Sequence, residues 1–419
     1  MAANVNRGDE AEDLVEQICH KMFLADFTVR NPKFLKGGAE KEAADFLVPF
    51  GSTLLAFQVK SKTETKSAFG KEEKDFQRIK GKISDGIDQL KTIRRALNAN
   101  HLKTITNGAG ITLPFKGDSN TNLIGLVILE LFGEEQFGED ERTGIYNGYT
   151  FHNNIPTHVF TREIFDTIST EIDTIPDLIS YLTARKGFYE KGALSPSTHE
   201  LDFLTLFKTK QELIKKVMGG EIDLVAVTDD LWKAYRSKHI DLINERDYRN
   251  RPSLLIDEVI KWLHTSIGYD PGTGDPTGRS ESMEGTIENY YGTIFELASI
   301  PRILRRMVGE KFLEALCKAD NVGDGQAAVT ISPDTGVVVL ATNRKREERV
   351  RGIYNLAAVA YCGLHLAKII AIATEPLSAP KRSYDLMVLA DVTFENHIEL
   401  ESKLTEMFGS LKRGTITEY

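Results

Sequence analysis

Residues 37–62 read GGAEKEAADFLVPFGSTLLAFQVKSK, and the rest of the N-terminal half is understood outward from them. Two apolar runs, Phe46-Leu47-Val48 and Leu54-Leu55-Ala56-Phe57, flank a turn at Pro49 to Ser52. Short apolar runs on either side of a Gly-containing turn are the pattern of a β-hairpin. Glu42 and Asp45 precede the first run, and Gln58-Val59-Lys60 continues the second. Side chains alternate along a strand, so Gln58 and Lys60 share one face while Val59 points to the other. An acid at the head of one strand and a polar-x-Lys on the next therefore converge. That geometry suits a carboxylate holding a divalent cation with an ammonium beside the attacking water. The plainer alternative is an amphipathic hairpin whose Asp and Lys are solvated surface residues.

Upstream, Gly8-Asp9-Glu10-Ala11-Glu12-Asp13-Leu14-Val15 opens a segment in which Leu14, Val15, Ile18, Met22 and Phe23 recur at helical spacing. Helix with Glu12, Asp45 at a hydrophobic strand, turn, second strand and Gln58-Val59-Lys60, in that order, resemble the PD-(D/E)xK nuclease superfamily. The closest form is the Gln-x-Lys variant of Mrr-like restriction endonucleases. The resemblance covers roughly the first half of the chain. It implies an α/β fold with a restriction-endonuclease-like mixed sheet flanked by helices. It also implies catalytic roles for Asp45, Gln58, Lys60 and Glu12. Mg2+ or Mn2+ would be held by Asp45, with Glu12, Glu42 and Gln58 as further ligands, and either Glu12 or Glu42 is the additional acid. The departure is Gln58, whose amide oxygen is a weaker ligand for a hard cation than a carboxylate.

By the same resemblance the expected activity is metal-dependent endonucleolytic hydrolysis of DNA, with RNA open, in a restriction or antiphage-defence effector. Two other classes compete: a non-cleaving nucleic-acid-binding module, and a regulatory or assembly protein on a degenerate nuclease fold. A homo-oligomer or a partner protein of the same defence system would fit the latter.

At 419 residues the chain has room for two domains. The expected division is a nuclease-like domain over 1–215 and a mixed helical and α/β domain over 216–419. A content of 41% hydrophobic and 27% charged residues places the chain among globular proteins rather than disordered ones. The net charge of −9 gives no global basic footprint for nucleic acid. Locally, however, 60–103 is rich in Lys and Arg. Lys62, Lys80, Lys82, Arg94 and Arg95 are the expected phosphate contacts, along with neighbours such as Lys66, Lys71 and Lys103. The competing reading is a solvated helix with intrahelical ion pairs.

Cys19, Cys317 and Cys362 lie far apart with no paired spacing, which argues against a disulfide framework or zinc site and favours a reducing cytoplasm. The opening MAANVNRGDEAEDL has no apolar leader. The longest apolar stretch, Tyr354 to Ile372, is broken by Asn355, His365 and Lys368, so it reads as a buried helix feeding a strand rather than a membrane span.

Further along, apolar positions from Phe76 to Leu97 predict an amphipathic helix that Gly81 and Gly86 weaken. Leu123 to Phe132 predicts a buried central strand, His158 to Phe160 a partner strand, and Thr161 to Tyr181 helices. The second half reads as helices from Leu224 to Phe312, interrupted by the Gly-, Pro- and Asp-rich loop 268–278. A hairpin follows around Pro333 to Gly336, then a helix from Glu347 to about Leu366, then strands at Ile369 to Ala373 and Leu386 to Ala390. Asn343 to Arg351 is a second basic run, read either as a nucleic-acid contact or as a solvated helix start. The chain has no Walker A loop, no G-x-S-x-G and no H-E-x-x-H. His152 and His158 lack a metal-ligand spacing and are expected to be structural.

Overall fold

The computed structural model describes residues 7–36, 39–64, 72–102, 104–106, 112–115, 117–133, 148–194, 198–227, 230–238, 240–266, 268–269, 276–277, 287–380 and 382–408. Of the basic segment, Lys66, Lys71 and Lys103 lie outside these residues. The chain divides into two compact units, Met1–Ile240 and Asp241–Tyr419.

The first unit opens with helix α1 (Arg7–Phe27), which buries Ala11, Val15, Ile18, Cys19 and Met22; of the expected stripe, Val15, Ile18 and Met22 are buried, Leu14 is half-buried and the side chain of Phe23 lies outside those described. Then come strands β1 (Val29–Arg30), β2 (Lys33–Lys36), β3 (Ala39–Glu42), β4 (Phe46–Phe50) and β5 (Thr53–Glu64). β4 and β5 form the expected antiparallel hairpin, with Phe46 opposite Phe57 and Phe50 opposite Thr53. Its two-residue turn has Gly51 at φ 59°, a left-handed conformation that glycine adopts without a Cβ clash.

Helix α2 (Glu72–Asn98) then crosses over to β8 (Asn122–Gly133), after the short pair β6 (Thr104–Thr106) and β7 (Thr112–Pro114). β8 pairs with β5 in parallel from Thr53–Asn122 to Glu64–Gly133, and a parallel pair needs such a long connection. β9 (Gly148–His152) and β10 (Ile155–Thr161) complete a mixed sheet, in which six strands are described in the order β1-β4-β5-β8-β10-β9. One face packs on α2, where Leu54, Ala56 and Val127 meet Leu90, Ile93, Ala96 and Leu97. The opposite face carries Phe57, whose ring meets Phe165 edge-on.

Helices α3 (Arg162–Glu171), α4 (Ile175–Glu190), α5 (Glu200–Thr209), α6 (Gln211–Gly219) and α7 (Leu231–Lys238) finish the unit. The division therefore falls later than residue 215. The physical reason is local: the Trp232 backbone N–H at the start of α7 donates to Asp202 on α5 at 2.7 Å, which ties α7 to the first unit.

The second unit begins with α8 (Ile240–Asn250), α9 (Ser253–Ser266), α10 (Ile287–Ala298) and α11 (Arg302–Val322). Between α9 and α10, β11 (Gly268–Tyr269) and β12 (Pro276–Thr277) pair as two short antiparallel strands, where the sequence suggested only loop. Two-residue pairing asks little regularity of a Gly/Pro-rich segment; 270–275 and 278 lie outside the described residues.

The unit's sheet has the order β13-β14-β15-β16, formed by β13 (Asp324–Thr330), β14 (Thr335–Thr342), β15 (Lys368–Thr374) and β16 (Tyr384–Ala390). The outer pairs are antiparallel, and β14 with β15 is parallel across helix α12 (Arg346–Gly363). Val338, Ile353, Leu356, Ala357, Ala360, Ile369 and Ala371 form its core. No helix among the described residues is long and apolar enough to cross a membrane.

Candidate active site

Asp45 sits immediately ahead of β4, stitched between two strands by its own backbone. Its N–H donates to the Phe57 carbonyl at 3.2 Å, and its carbonyl accepts from the Asn31 N–H at 2.9 Å. That turns the side chain toward β5, where Oδ2 accepts from the Val59 N–H at 2.5 Å. One residue further along β5, the Lys60 ammonium lies 4.0 Å from Asp45 Oδ2, both side chains being only 14% exposed. Lys60 also donates to Gln58 Oε1 at 3.1 Å, as their shared face of the strand allows. Gln58 is buried.

Helix α2 passes over this lysine at Gly86. A Cβ there would meet Val127 Cγ1 at 3.0 Å and Lys60 Cε at 3.4 Å. The glycine that weakens the helix in sequence terms thus lets it lie close enough to cover the lysine stem.

Two further acids close on Asp45. Glu12 projects from α1 and is reached by Arg30 Nη2 at 3.4 Å, while Arg30 Nη1 bonds Asp13 and Glu16, each at 2.7 Å. Glu42, at the end of β3, accepts from the Asn31 side-chain amide at 3.1 Å when that amide is turned to satisfy its neighbours. The electrostatics tie the group together. Desolvation raises the Asp45 carboxyl above its ordinary range, and Glu42 adds to this, against Lys60 and the Val59 N–H. Desolvation and then Asp45 push Glu12 up, with Arg30 opposing. Desolvation and then Glu12 push Glu42 up, with Lys60 and Lys33 opposing. Glu12, Glu42, Asp45 and Lys60 are therefore one electrostatic group in which the acids outnumber the ammonium.

Among the described residues, no three His, Cys, Asp or Glu side chains close into a ready-made metal cage. Mg2+ does not require one: it keeps several waters and binds through one or two carboxylates plus phosphate oxygens. The donors here are hard oxygens, and their mutual repulsion is what a divalent cation would relieve. Asp45 with either Glu12 or Glu42 fits that requirement. The Gln58 oxygen is already used by Lys60.

The expected phosphate contacts separate into two sets. Ile79 on α2 packs with Leu129 and Leu131, which stand opposite Lys60 and Lys62, so exposed Lys80 and Lys82 belong to the Lys60 end of the sheet. Arg94 does not. Its guanidinium lies over the carbonyls of Thr121 (3.3 Å), Ser119 (3.5 Å) and Asn154 (3.5 Å), bracing the loops that lead into β8 and β10. Those loops lie level with Thr53, about 23 Å along β5 from Lys60. Arg94 and neighbouring Arg95 thus stand at the far end of the sheet, and the 60–103 segment is not one surface beside Asp45.

In the second basic run, Arg344, Arg346 and Arg349 are taken by internal partners. Arg344 bonds Asp324 at 2.5 Å, Arg346 bonds Asp385 at 2.7 Å, and Arg349 bonds Asp385 at 2.6 Å, Ser383 at 2.8 Å and Glu375. His158 is buried against Arg185, Nδ1 to Nη1 being 2.9 Å, and burial followed by that cation holds it well below its ordinary pKa. His152 lies 3.4 Å from Asp88.

Arg30, Asn31 and Gly86 are the residues that sequence reasoning missed. A lone Arg-Asn pair after a two-residue strand carries no periodicity, and a helical Gly signals a close approach only once its neighbour is known.

Comparison of the chain with protein-family models, with curated proteins and with solved structures finds no match.

Proposed function

We propose that the first unit is a metal-dependent nuclease of the PD-(D/E)xK type, which hydrolyses phosphodiester bonds in DNA and acts in restriction or antiphage defence. The observation that carries this reading is the meeting of Asp45 and Lys60, 4.0 Å apart on neighbouring strands, inside a group of mutually repelling acids. The order of elements supports it as well. α1 with Glu12, β4 with Asp45 ahead of it and β5 with Gln58 and Lys60 follow one another in the order the resemblance gives.

Asp45 with Glu12 or Glu42 would hold Mg2+ or Mn2+, which supplies Lewis-acid polarisation of the phosphate and an acidified water. Lys60 places its positive charge where negative charge develops on the attacked phosphate and the incoming hydroxide. Gln58 holds that ammonium in position through its Oε1. Arg30 fixes Glu12 on α1, and Asn31 fixes Glu42. A water oxygen bonds to phosphorus, the bond to the 3′-oxygen breaks, the water's proton leaves to solvent and the 3′-oxygen is protonated from solvent.

The test is cleavage of supercoiled plasmid and of labelled DNA and RNA in Mg2+ or Mn2+. Wild type should cut, while Asp45→Asn and Lys60→Ala should cut at least about a hundredfold more slowly with the fold intact. Cutting at wild-type rate by both variants sinks the assignment.

A further inference from the structure

A cavity of about 590 Å3 opens between the end of β1 and the chain leaving α2, with Arg30, Asn31, Lys33, Phe34, Asn100 and His101 among its lining residues. That volume lies within the range of small-ligand clefts, about 300–1,000 Å3. The cavity shares a wall with the candidate active site. Arg30 reaches Glu12 from it at 3.4 Å, and Asn31 reaches Glu42 at 3.1 Å. Whatever fills it therefore lies next to a phosphate held at Asp45 and Lys60.

Its lining suits a planar, polar guest. The His101 ring lies 6.4 Å from buried Phe34 at an interplanar angle of 17°, so Phe34 backs one side of a ring that is itself exposed. Such an aromatic face is what an unstacked base lies on. At the rim the exposed Lys33 ammonium is paired with Glu40, 3.2 Å away, and Glu40 lines the cavity as well. Asn31 and Asn100 both have left-handed backbones, at φ 47° and 50°. Uncommon conformations of non-glycine residues cluster where side chains must be aimed.

We infer that this cavity receives one unpaired nucleotide of the strand being cut, with its base against His101. The inference rests on the nuclease reading and sharpens its substrate class. A base inside a duplex offers no face for stacking, so the favoured substrate carries unpaired nucleotides at the cut site, as a tail, gap or flap does.

Fluorescence anisotropy with Ca2+ in place of Mg2+ tests this, using one labelled duplex with and without a single-stranded tail. Wild type should bind the tailed form about five- to hundredfold more tightly, the span of a single base stack. His101→Ala combined with Asn100→Gly, which keeps the left-handed backbone, should remove that preference and leave duplex affinity unchanged. Thermal melts check each variant's fold. Equal wild-type affinity for the two DNAs overturns the inference, as does a preference that survives in His101→Ala/Asn100→Gly. Absence of binding to either DNA overturns it together with the nuclease reading. A tail preference lost in that double variant, without cleavage by wild type in Mg2+ or Mn2+, supports the cavity's role and refutes the hydrolase alone.

Discussion

Arg349 in the second unit and Asp45 in the first each stand in a charged cluster at the end of a sheet, and the two clusters are balanced in opposite ways. Around Arg349 every charge has an answer. Its guanidinium bonds Asp385, Glu375 and Ser383, while Glu375 also accepts from the Ser383 N–H at 2.6 Å. Burial pulls Glu375 upward, but the Ser383 N–H and Arg349 outweigh it and hold the carboxyl below its ordinary range. Around Asp45 the same desolvation is not outweighed. Glu12, Glu42 and Asp45 are all raised, each by a neighbouring acid as well as by burial. A closed network of matched charges is a structural device, whereas an open excess of one sign is a place for a ligand.

The largest effect expected from this contrast is on stability. Arg349→Ala leaves buried Asp385 with Arg346 and half-buried Glu375 with Ser383 as their remaining partners, and should cost about 3 kcal/mol in the second unit. Lys60→Ala should cost the first unit about 1–2 kcal/mol, although on the proposed reading it should slow cleavage at least about a hundredfold. Trp232 lies in the first unit and Trp262 in the second, where it packs on Tyr384. Urea melts followed by tryptophan fluorescence, with Trp232→Phe isolating Trp262, read the Arg349 loss directly. A loss equal to that of Lys60→Ala would erase the distinction between the clusters.

Next in size is the response to pH. A carboxyl whose folded pKa is raised holds its proton more tightly when folded, so its contribution to stability falls as pH rises past the ordinary carboxylate value. Asp45→Asn removes one such group while keeping an acceptor for the Val59 N–H. Without metal it should therefore match wild type in acid and become the more stable protein as pH rises to neutral. Glu375 has the opposite sign. Its lowered pKa gives stability that is present above the unfolded value and lost as pH falls through the folded one, so Glu375→Gln should be most damaging at neutral pH. Thermal melts of both variants across pH check the two slopes, and parallel slopes would contradict the contrast.

Smaller still is Gly86→Ala. Helix propensity favours alanine by about 1 kcal/mol, while crowding against Val127 and Lys60 opposes it, so stability should move by less than about 1 kcal/mol. Displacing Lys60 should nonetheless slow cleavage about tenfold or more. A variant as active as wild type would show that the position of Lys60 is not critical.

How far the sequence could be read follows the same physics. Strands buried on both faces announce themselves, as Leu123 to Phe132 did for β8, and so did the amphipathic stripe of α2. The Gly51 turn fixed the hairpin register and with it the meeting of Asp45 and Lys60. Edge elements were not legible: β9 is a short outer strand with exposed Phe151, and the β2–β3 pair alternates charge with little apolar pattern. Charge partners were the least legible of all. Nothing near Arg94 in sequence points to the carbonyls of Ser119, Thr121 and Asn154, and nothing near Arg349 points to Asp385. Arg94, Arg344, Arg346 and Arg349 therefore suggested nucleic-acid contacts that the fold spends on internal bonds.

On the proposed reading, the acids around Asp45 are short of positive charge and take a divalent cation. Mn2+ binding, followed by electron paramagnetic resonance without any substrate, tests it most directly. Wild type should bind Mn2+ at a site from which Mg2+ displaces it. Asp45→Asn should weaken that binding by more than about tenfold, and Glu375→Gln should leave it unchanged. Binding of Mn2+ by Asp45→Asn as tightly as by wild type would contradict the account.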